Sequence, residues 1–478
     1  MFDLVIMNGC IVDGTGSPWF KADLGIKDGK IVAIGDLDAE ESVEMIDAKG
    51  LMVCPGFVDM HSHSDLSLLI NPKAESKIRQ GVTTEVIGNC GSSAAPLNQS
   101  AKEEIRKTTP MLEEAKLDLD WFTMSEYMSR LESKGVAVNV ASLVGHANIR
   151  KLVIGCDNRL PTQAELEEMK KVLAQAMRDG AFGLSTGLIY APSCYSDTNE
   201  LVELCKVVAR LGGIYTSHIR GEGEDLLKSV KEAIEIGEKA NVPVQISHHK
   251  AAGKANWGKV KQTLKMMDDA RTKGVDVTCD VYPYTAGSFS LDSMLPPYAH
   301  EGGLDSLIER LKNPKTRKKL KTDMEKGVKR WSSPLKDGGL DATVIAYCKG
   351  HPEFEGKKIS EISIKKDMDV FDFVFDLLIE EMASVDVIRF LMCEQDICAV
   401  LKHPASFIGT DASTRATYGV LAKGKPHLRS YGTFPRVLGK YVREEGVLTF
   451  ENAIRKMTLL PTQKLRIKDR GMIKEGTW

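Results

Sequence analysis

The sequence predicts an α/β fold: a (β/α)8 barrel with a small β domain and an insertion between its seventh and eighth strands. Three observations predict it. From residue 55 onward, short apolar runs alternate with amphipathic segments, the texture of a parallel sheet. Eight such runs can be counted, the number that closes a barrel. The polar residues with metal or acid/base chemistry fall at the C-terminal ends of those runs, the rim where barrels place their sites.

Residues 1–54 read as strands and turns, the N-terminal part of the small β domain. Leu4-Val5-Ile6 and Cys10-Ile11-Val12 flank Asn8-Gly9, a hairpin signal; Asp28-Gly29 likewise separates 22–26 from 30–34. Asp47-Ala48-Lys49-Gly50 turns the chain into Leu51-Met52-Val53. Residues 55–460 carry the barrel, with predicted strands at 57–63, 83–90, 137–146, 181–188, 214–218, 242–248, 275–282 and 406–411. Between them, Leu166, Met169, Val172, Leu173 and Ala176 recur at helical spacing, as do Leu226, Leu227, Val230, Ala233 and Ile234. The insertion, about 287–400, has a Lys/Arg-rich first half that reads as a solvated helical face. Its second half, Val370 to Phe390, reads as an amphipathic helix pair. Its place over the barrel mouth suits a lid. Residues 461–478 begin a turn-and-strand pattern that returns toward the β domain.

Bulk numbers narrow the function. The 64 basic and 66 acidic residues of the 478-residue chain nearly cancel, giving a net charge of -2, so no bulk field favours nucleic acid or an anionic membrane. No apolar run is long enough to cross a bilayer. The 10 cysteines are scattered without a CxxC pair, which fits reduced thiols and a cytoplasmic location. A small-molecule substrate is the expected partner.

The rim residues are His61 and His63 on strand one, Cys90 on strand two, His218 on strand five, His248 on strand six and Asp411 on strand eight. His61 and His63 are two apart, so a strand points both imidazoles the same way. Each has a bland explanation: a satisfied polar histidine, a packed cysteine, a helix N-cap at Asp411. Six such coincidences at one rim favour a metal site, and imidazole plus thiolate suits Zn²⁺. Asp411 is the candidate for moving a proton between water and a leaving amine. His249, beside His248, should face away and pack.

Motifs around these residues extend the pattern: Gly56-Phe57-Val58-Asp59-Met60-His61-Ser62-His63, Gly88-Asn89-Cys90-Gly91, Ser217-His218-Ile219-Arg220, Ile246-Ser247-His248-His249-Lys250 and Gly409-Thr410-Asp411. Together with Leu184-Ser185-Thr186-Gly187 and Tyr431-Gly432-Thr433-Phe434-Pro435-Arg436, this set resembles the amidohydrolase superfamily. Within it, the set resembles the D-aminoacylases (N-acyl-D-amino-acid deacylases), over essentially the whole chain. The resemblance implies zinc held tightly by Cys90, His218 and His248, with His61 and His63 forming an adjacent, weaker position and Asp411 acting as acid/base. It further implies that Lys250 and Tyr190, with Tyr282 and Ser288 nearby, bind the free carboxylate of an N-acyl-D-amino acid. Many relatives use a lysine on strand four; 181–188 has none, which argues against a cyclic-amide hydrolase of the dihydroorotase or hydantoinase kind. The remaining alternative is a non-catalytic barrel scaffold. Two departures stand out. His427-Leu428-Arg429 replaces a common His-Pro-Arg, so that loop is expected to bend differently. Relatives also continue beyond the position of Trp478 with strands that complete a small sandwich, so the expectation here is a sandwich missing strands, with an exposed edge and reduced stability.

Overall fold

The structure, a computed structural model, describes residues 1–37, 42–328, 331 and 333–478. Near the N-terminus, β1 (Phe2–Ile11), β2 (Phe20–Lys27), β3 (Lys30–Gly35), β4 (Ser42–Asp47) and β5 (Met52–Val53) form one mixed sheet in the order β3-β2-β1-β4, with β5 also on β1. Asp28 and Gly29, at φ 50° and 74°, turn β2 into β3 as a two-residue hairpin requires. Asn8-Gly9 does not turn the chain. β1 runs straight through it, and the pairing with β2 shifts register between Ile6 and Gly9. Asn8 sits at φ 61° and its backbone N–H donates to Asp23 Oδ1 at 2.7 Å. The left-handed tolerance of Asn, which makes it a turn signal, here serves a bulge.

Ile11, Leu24 and Ile31 form the sheet's core with Ile473 from the C-terminal segment. That segment also bonds the edge of β3, through Ile31 N–H to Thr477 O (2.9 Å) and Gly476 N–H to Ile31 O (2.8 Å). Among the described residues no second sheet faces this one, and Val43, Met45 and Leu51 are exposed.

The barrel follows as β6 (Phe57–Asp59), β7 (Val82–Ile87), β8 (Asn139–Ser142), β9 (Val144–Gly145), β10 (Gly183–Gly187), β11 (Ile214–His218), β12 (Val244–Ile246) and β13 (Val277–Val281). After the insertion strands β14 (Ala286–Ser290), β15 (Thr343–Cys348) and β16 (Val385–Phe390) it closes with β17 (Ser406–Ile408). The third barrel strand is broken at Leu143 into β8 and β9. Two parallel ladders result, β6-β7-β8 and β9-β10-β11-β12-β13-β17. A bridge between Ser62 and Ala412, reinforced by Asp411 N–H to His61 O (2.7 Å), joins the last strand to the first. Strand three was expected to reach His146; that residue instead opens the helix His146–Val153.

The helices bury the faces their spacing predicts. Gln163–Arg178 starts at a capping box between Thr162 and Glu165 and buries Leu166, Met169, Leu173 and Ala176. Leu226–Ala240 buries Leu226, Val230, Ala233 and Ile236. The insertion has its own core, with Leu307, Leu311, Leu320, Phe373, Phe375 and Val385 packed together. Its basic helix Pro314–Lys326 turns Arg317 and Lys321 to Asp376 and Asp369. The helix pair expected over 370–390 is a helix, Val370–Glu380, followed by β16, the central strand of an antiparallel sheet β14-β16-β15. Burial along Val385–Phe390 alternates with period two, a strand signal in a run too short for a second helix. The helix Glu394–Lys402 packs on the helix Lys259–Thr272 and on β17, so it belongs to the barrel rather than to the insertion.

Candidate metal centre and active site

All six rim residues reach one place. Cys90 lies in the turn after β7 at φ 52°, between Gly88 (φ 75°) and Gly91 (φ 79°). A Cβ at Gly91 would fall 2.5 Å from the Gly187 backbone nitrogen, so only glycine lets this turn lie against β10 and lift the thiol over the barrel mouth. Cys90 Sγ is 3.3 Å from His61 Nε2 and 3.4 Å from His248 Nε2. The donor atoms of Cys90, His218 and His248 all lie within 4.8 Å of one another, as do those of His61, His63, Cys90 and Asp411. The two groups share Cys90. Asp411 Oδ1 sits 3.0 Å from His63 Nε2 and 3.5 Å from His61 Nε2. It is no helix cap: Asp411 has φ 50° and no helix follows it.

A ring of carboxylates orients these donors. Asp280 on β13 faces His61 Nδ1 at 3.1 Å, accepts the His248 backbone N–H at 2.7 Å, and is itself held by Gln245 Nε2 at 2.9 Å. Glu222 Oε1 lies 2.9 Å from His248 Nδ1 and accepts from Lys250 Nζ at 2.6 Å. Lys250 Nζ is also 2.6 Å from His248 Nδ1. Only the tautomer that donates Nδ1–H to Glu222 leaves a lone pair on His248 Nε2, the nitrogen that faces Cys90. Beneath His61, the buried Lys77 ties three strands together: its ammonium donates to Asp59 Oδ2 (2.6 Å), Thr410 Oγ1 (2.8 Å) and Ala412 O (2.8 Å) and pairs with Glu85. That network fixes the backbone on both sides of Asp411.

The electrostatics favour positive charge at the centre. Burial opposes ionisation of Cys90, but His61 and His248 outweigh it and hold the thiol well below its usual range. Burial likewise opposes a charged Asp411; Arg429, His248 and His61 overcome it and keep the carboxyl well below the usual carboxylate range. Arg429 Nη1 is 2.7 Å from Asp411 Oδ2, an ion pair away from ideal hydrogen-bond alignment, and Nη2 donates to Ser288 O at 3.0 Å. His218 supplies a direct fit test for a metal. Both of its ring nitrogens are buried without a hydrogen-bond partner among the described residues. Native interiors rarely tolerate that, and a thiolate beside imidazoles is the donor set of a borderline-soft divalent ion. The residues present fit such an ion.

Above the donors opens a cavity of about 420 Å³, lined by His63, Cys90, His218, His248 and Asp411. Lys250, Tyr190, Tyr282, Ser288 and Arg429 line it too, with Lys250 against His248 and Arg429 against Asp411. The Tyr282 ring lies between two cations, 5.5 Å from Lys250 Nζ and 4.7 Å from the Arg429 guanidinium. Gly287–Ser290, Leu391 and Met392 bring the insertion to the mouth. The structure puts every site residue named from the sequence at this cavity except His61, fully buried with its Nε2 3.3 Å from Cys90 Sγ, and His249, which packs away as expected, its Nε2 2.7 Å from Thr263 Oγ1. It missed Asp280, Glu222 and Arg429. Asp280 could have been found, since it sits near the end of a predicted strand, on the rim. Glu222 lies in a loop with no motif, and Arg429 was seen only as part of a departure. In that departure Leu428 is 68% exposed while His427 and Arg429 point inward, so the change falls on a solvent-facing side chain.

Comparison with known proteins gives the same assignment. Residues 44–478 match the model of the amidohydrolase family, and residues 1–56 match that of the urease alpha-subunit N-terminal domain. The chain belongs to the amidohydrolase family, in its D-aminoacylase branch. A D-aminoacylase from Alcaligenes xylosoxydans xylosoxydans is 34% identical over 99% of this chain and 86% of its own length. An N-acyl-D-glutamate deacylase from the same organism is 35% identical over 100% of this chain and 86% of its own. Among solved structures, the N-acyl-D-glutamate deacylase of Bordetella bronchiseptica, complexed with zinc and a phosphonate mimic of the tetrahedral intermediate, superposes with a TM-score of 0.82. It is 33% identical over 100% of this chain and 88% of its own. The barrel of this amidohydrolase therefore carries its donors at the rim expected of the fold.

Proposed function

We propose that this amidohydrolase cleaves the amide of N-acyl-D-amino acids, giving a carboxylate and a free D-amino acid, with Zn²⁺ as its metal. The observation that carries the reading is the meeting of two functions in one cavity. Cys90, His218 and His248 bring their donor atoms within 4.8 Å of one another, and the same cavity is lined by the cations Lys250 and Arg429. A substrate with a scissile amide and a free carboxylate suits both. The D configuration follows the relatives' activities alone.

In this reading Cys90, His218 and His248 hold the ion, with His61 and His63 beside them. Zinc in such a site supplies Lewis acidity toward a carbonyl oxygen and a water molecule. The chain's own groups do the rest. Lys250 and Arg429 exchange part of their pairing with Glu222 and Asp411 for the substrate carboxylate, and Tyr190 and Ser288 close around it. Asp411, kept ionised by Arg429, takes a proton from water on Oδ1 as the water oxygen attacks the amide carbon. It then returns that proton to the nitrogen as the C–N bond breaks. The His61 and His63 imidazoles hold Oδ1 in place.

The test is a panel of N-acetyl-D- and N-acetyl-L-amino acids with hydantoin and dihydroorotate, assayed with zinc present. Release of amino acid from D substrates alone is expected. Ring opening without deacylation, or no turnover of any compound, overturns the reading.

A further inference from the structure

Two smaller cavities flank the active one, and one cation borders both. The first, about 200 Å³, is lined by His63, Asp411 and Arg429 together with Arg415 and Lys423. The second, about 360 Å³, is lined by His63, Ser92 and Lys151 together with Thr414 and Arg415. His63 borders all three spaces, so both smaller cavities adjoin the metal centre.

The other cations nearby already have partners. Lys250 is paired with Glu222, Arg429 with Asp411, Lys151 with Glu104 and Lys423 with Glu114. Arg415 has no carboxylate within ion-pair distance, and its side chain makes no hydrogen bond among the described residues. Its Nε is buried and unpartnered. The carboxylate that acts on it, Asp386, does so from beyond that distance, and burial raises the Asp386 carboxyl above its usual range. The neighbouring Thr414 is 1% exposed, and its Oγ1 is also buried without a partner. A half-buried guanidinium whose buried Nε has no partner, beside a buried hydroxyl that also has none, costs stability unless something else uses them. The backbone holds both in place, with Arg415 N–H on Ser76 Oγ (2.8 Å) and Thr414 N–H on Ser64 Oγ (2.8 Å).

We infer that Arg415, with Thr414, forms a receptor for a second carboxylate on the substrate, distinct from the one met by Lys250 and Arg429. A guanidinium matches a carboxylate with two parallel N–H···O bonds. The second carboxylate belongs either to the side chain of an acidic D-amino acid or to the far end of a dicarboxylic acyl group. Both lie within one substituent of the scissile amide. The inference rests on the deacylase reading above and names its substrate class.

The test measures kcat and KM for three matched pairs on the zinc-loaded enzyme: N-acetyl-D-glutamate against N-acetyl-D-glutamine, N-acetyl-D-aspartate against N-acetyl-D-asparagine, and N-succinyl-D-leucine against N-butanoyl-D-leucine. The wild-type chain should favour the charged member of at least one pair. In Arg415→Gln that preference should fall at least tenfold, through KM more than kcat, and Arg415→Lys should restore part of it. The pair that responds identifies the source: either amino-acid pair indicates the side chain, the succinyl pair the acyl group. Thermal unfolding of both variants checks folding, and a collapse of Arg415→Gln leaves the Lys variant and the wild-type preference to decide. Turnover of the neutral members with no preference for charge in the wild type overturns the inference while the deacylase reading stands. A preference unchanged in folded Arg415→Gln also overturns it. Turnover of no member overturns both.

Discussion

Two buried histidine clusters sit on this barrel, and they differ in what they leave undone. In one, Ser193 Oγ, His146 and Glu200 form a chain at 3.0 and 2.8 Å that looks, on distances alone, like a nucleophile–base–acid relay. It is closed. Arg150 grips Glu200 with two bonds of 2.6 and 2.7 Å, both His146 nitrogens are used, and all these side chains are at most 1% exposed. In the other, His218 keeps two nitrogens without hydrogen-bond partners, the Cys90 thiol is held well below its usual range by His61 and His248 against burial, and a cavity opens above them. The lesson is that chemistry is marked by unmet bonding capacity facing space. A network sealed from space is structure, whatever its residue types and even with one nitrogen, Arg150 Nε, left unpartnered.

That distinction can be broken at its strong end first. Cys90→Ala should lose tightly bound metal by elemental analysis and lower kcat/KM on the order of 10⁴-fold, the several kcal/mol that a catalytic ion supplies. Full metal content in that variant would remove Cys90 from the ligand set. Asp411→Asn should keep the metal and lose about 10³-fold in kcat, the range for a displaced acid/base. Unchanged turnover would assign the proton transfer to another group. The sealed cluster should behave the opposite way. Glu200→Gln leaves Arg150 buried without its counter-charge and should cost about 3 kcal/mol in denaturant unfolding, with kcat of the folded fraction near wild type. A selective loss of kcat would mean that the relay-like chain takes part in the reaction.

Much of this was legible in the sequence because the barrel repeats one rule. Strand periodicity and helix spacing located the eight strands, and rim position then selected His61, His63, Cys90, His218, His248 and Asp411. The failures have local causes. Asn8-Gly9 signals left-handed backbone, which a bulge uses as readily as a hairpin. Val385–Phe390 is apolar enough for either element, and its pairing with β14 and β15, far away in sequence, decides for a strand. Glu222 and Arg429 act through partners brought near only by the closed barrel, Lys250 and Asp411. No spacing along the chain encodes those pairings. His146 was hidden for a related reason: it read as the end of a strand, and only the break at Leu143 turns it into a helix start beside Glu200.

The smallest effect sharpens the comparison by pH. Burial lowers the His146 pKa below its ordinary 6.5, against the pull of Glu200, so the folded ring stays neutral where the unfolded one takes up a proton. Below pH 6.5 the unfolded chain therefore binds more protons, and stability falls as pH drops toward the folded pKa. Glu200 acts in the same direction lower down. Burial would raise its pKa, but His146 and Arg150 hold it below 4.5, so its contribution is present above pH 4.5 and is lost as pH falls through the folded value. His146→Gln removes the first and weakens the second, since Glu200 keeps only Arg150. Its unfolding free energy should decline less steeply than the wild type's between pH 6.5 and 5. The slope below pH 4.5 should flatten but persist, because Arg150 still pairs with Glu200. If the two proteins lose stability in parallel from pH 6.5 down, His146 is charged in the folded state and the sealed cluster is not the neutral network that its geometry describes.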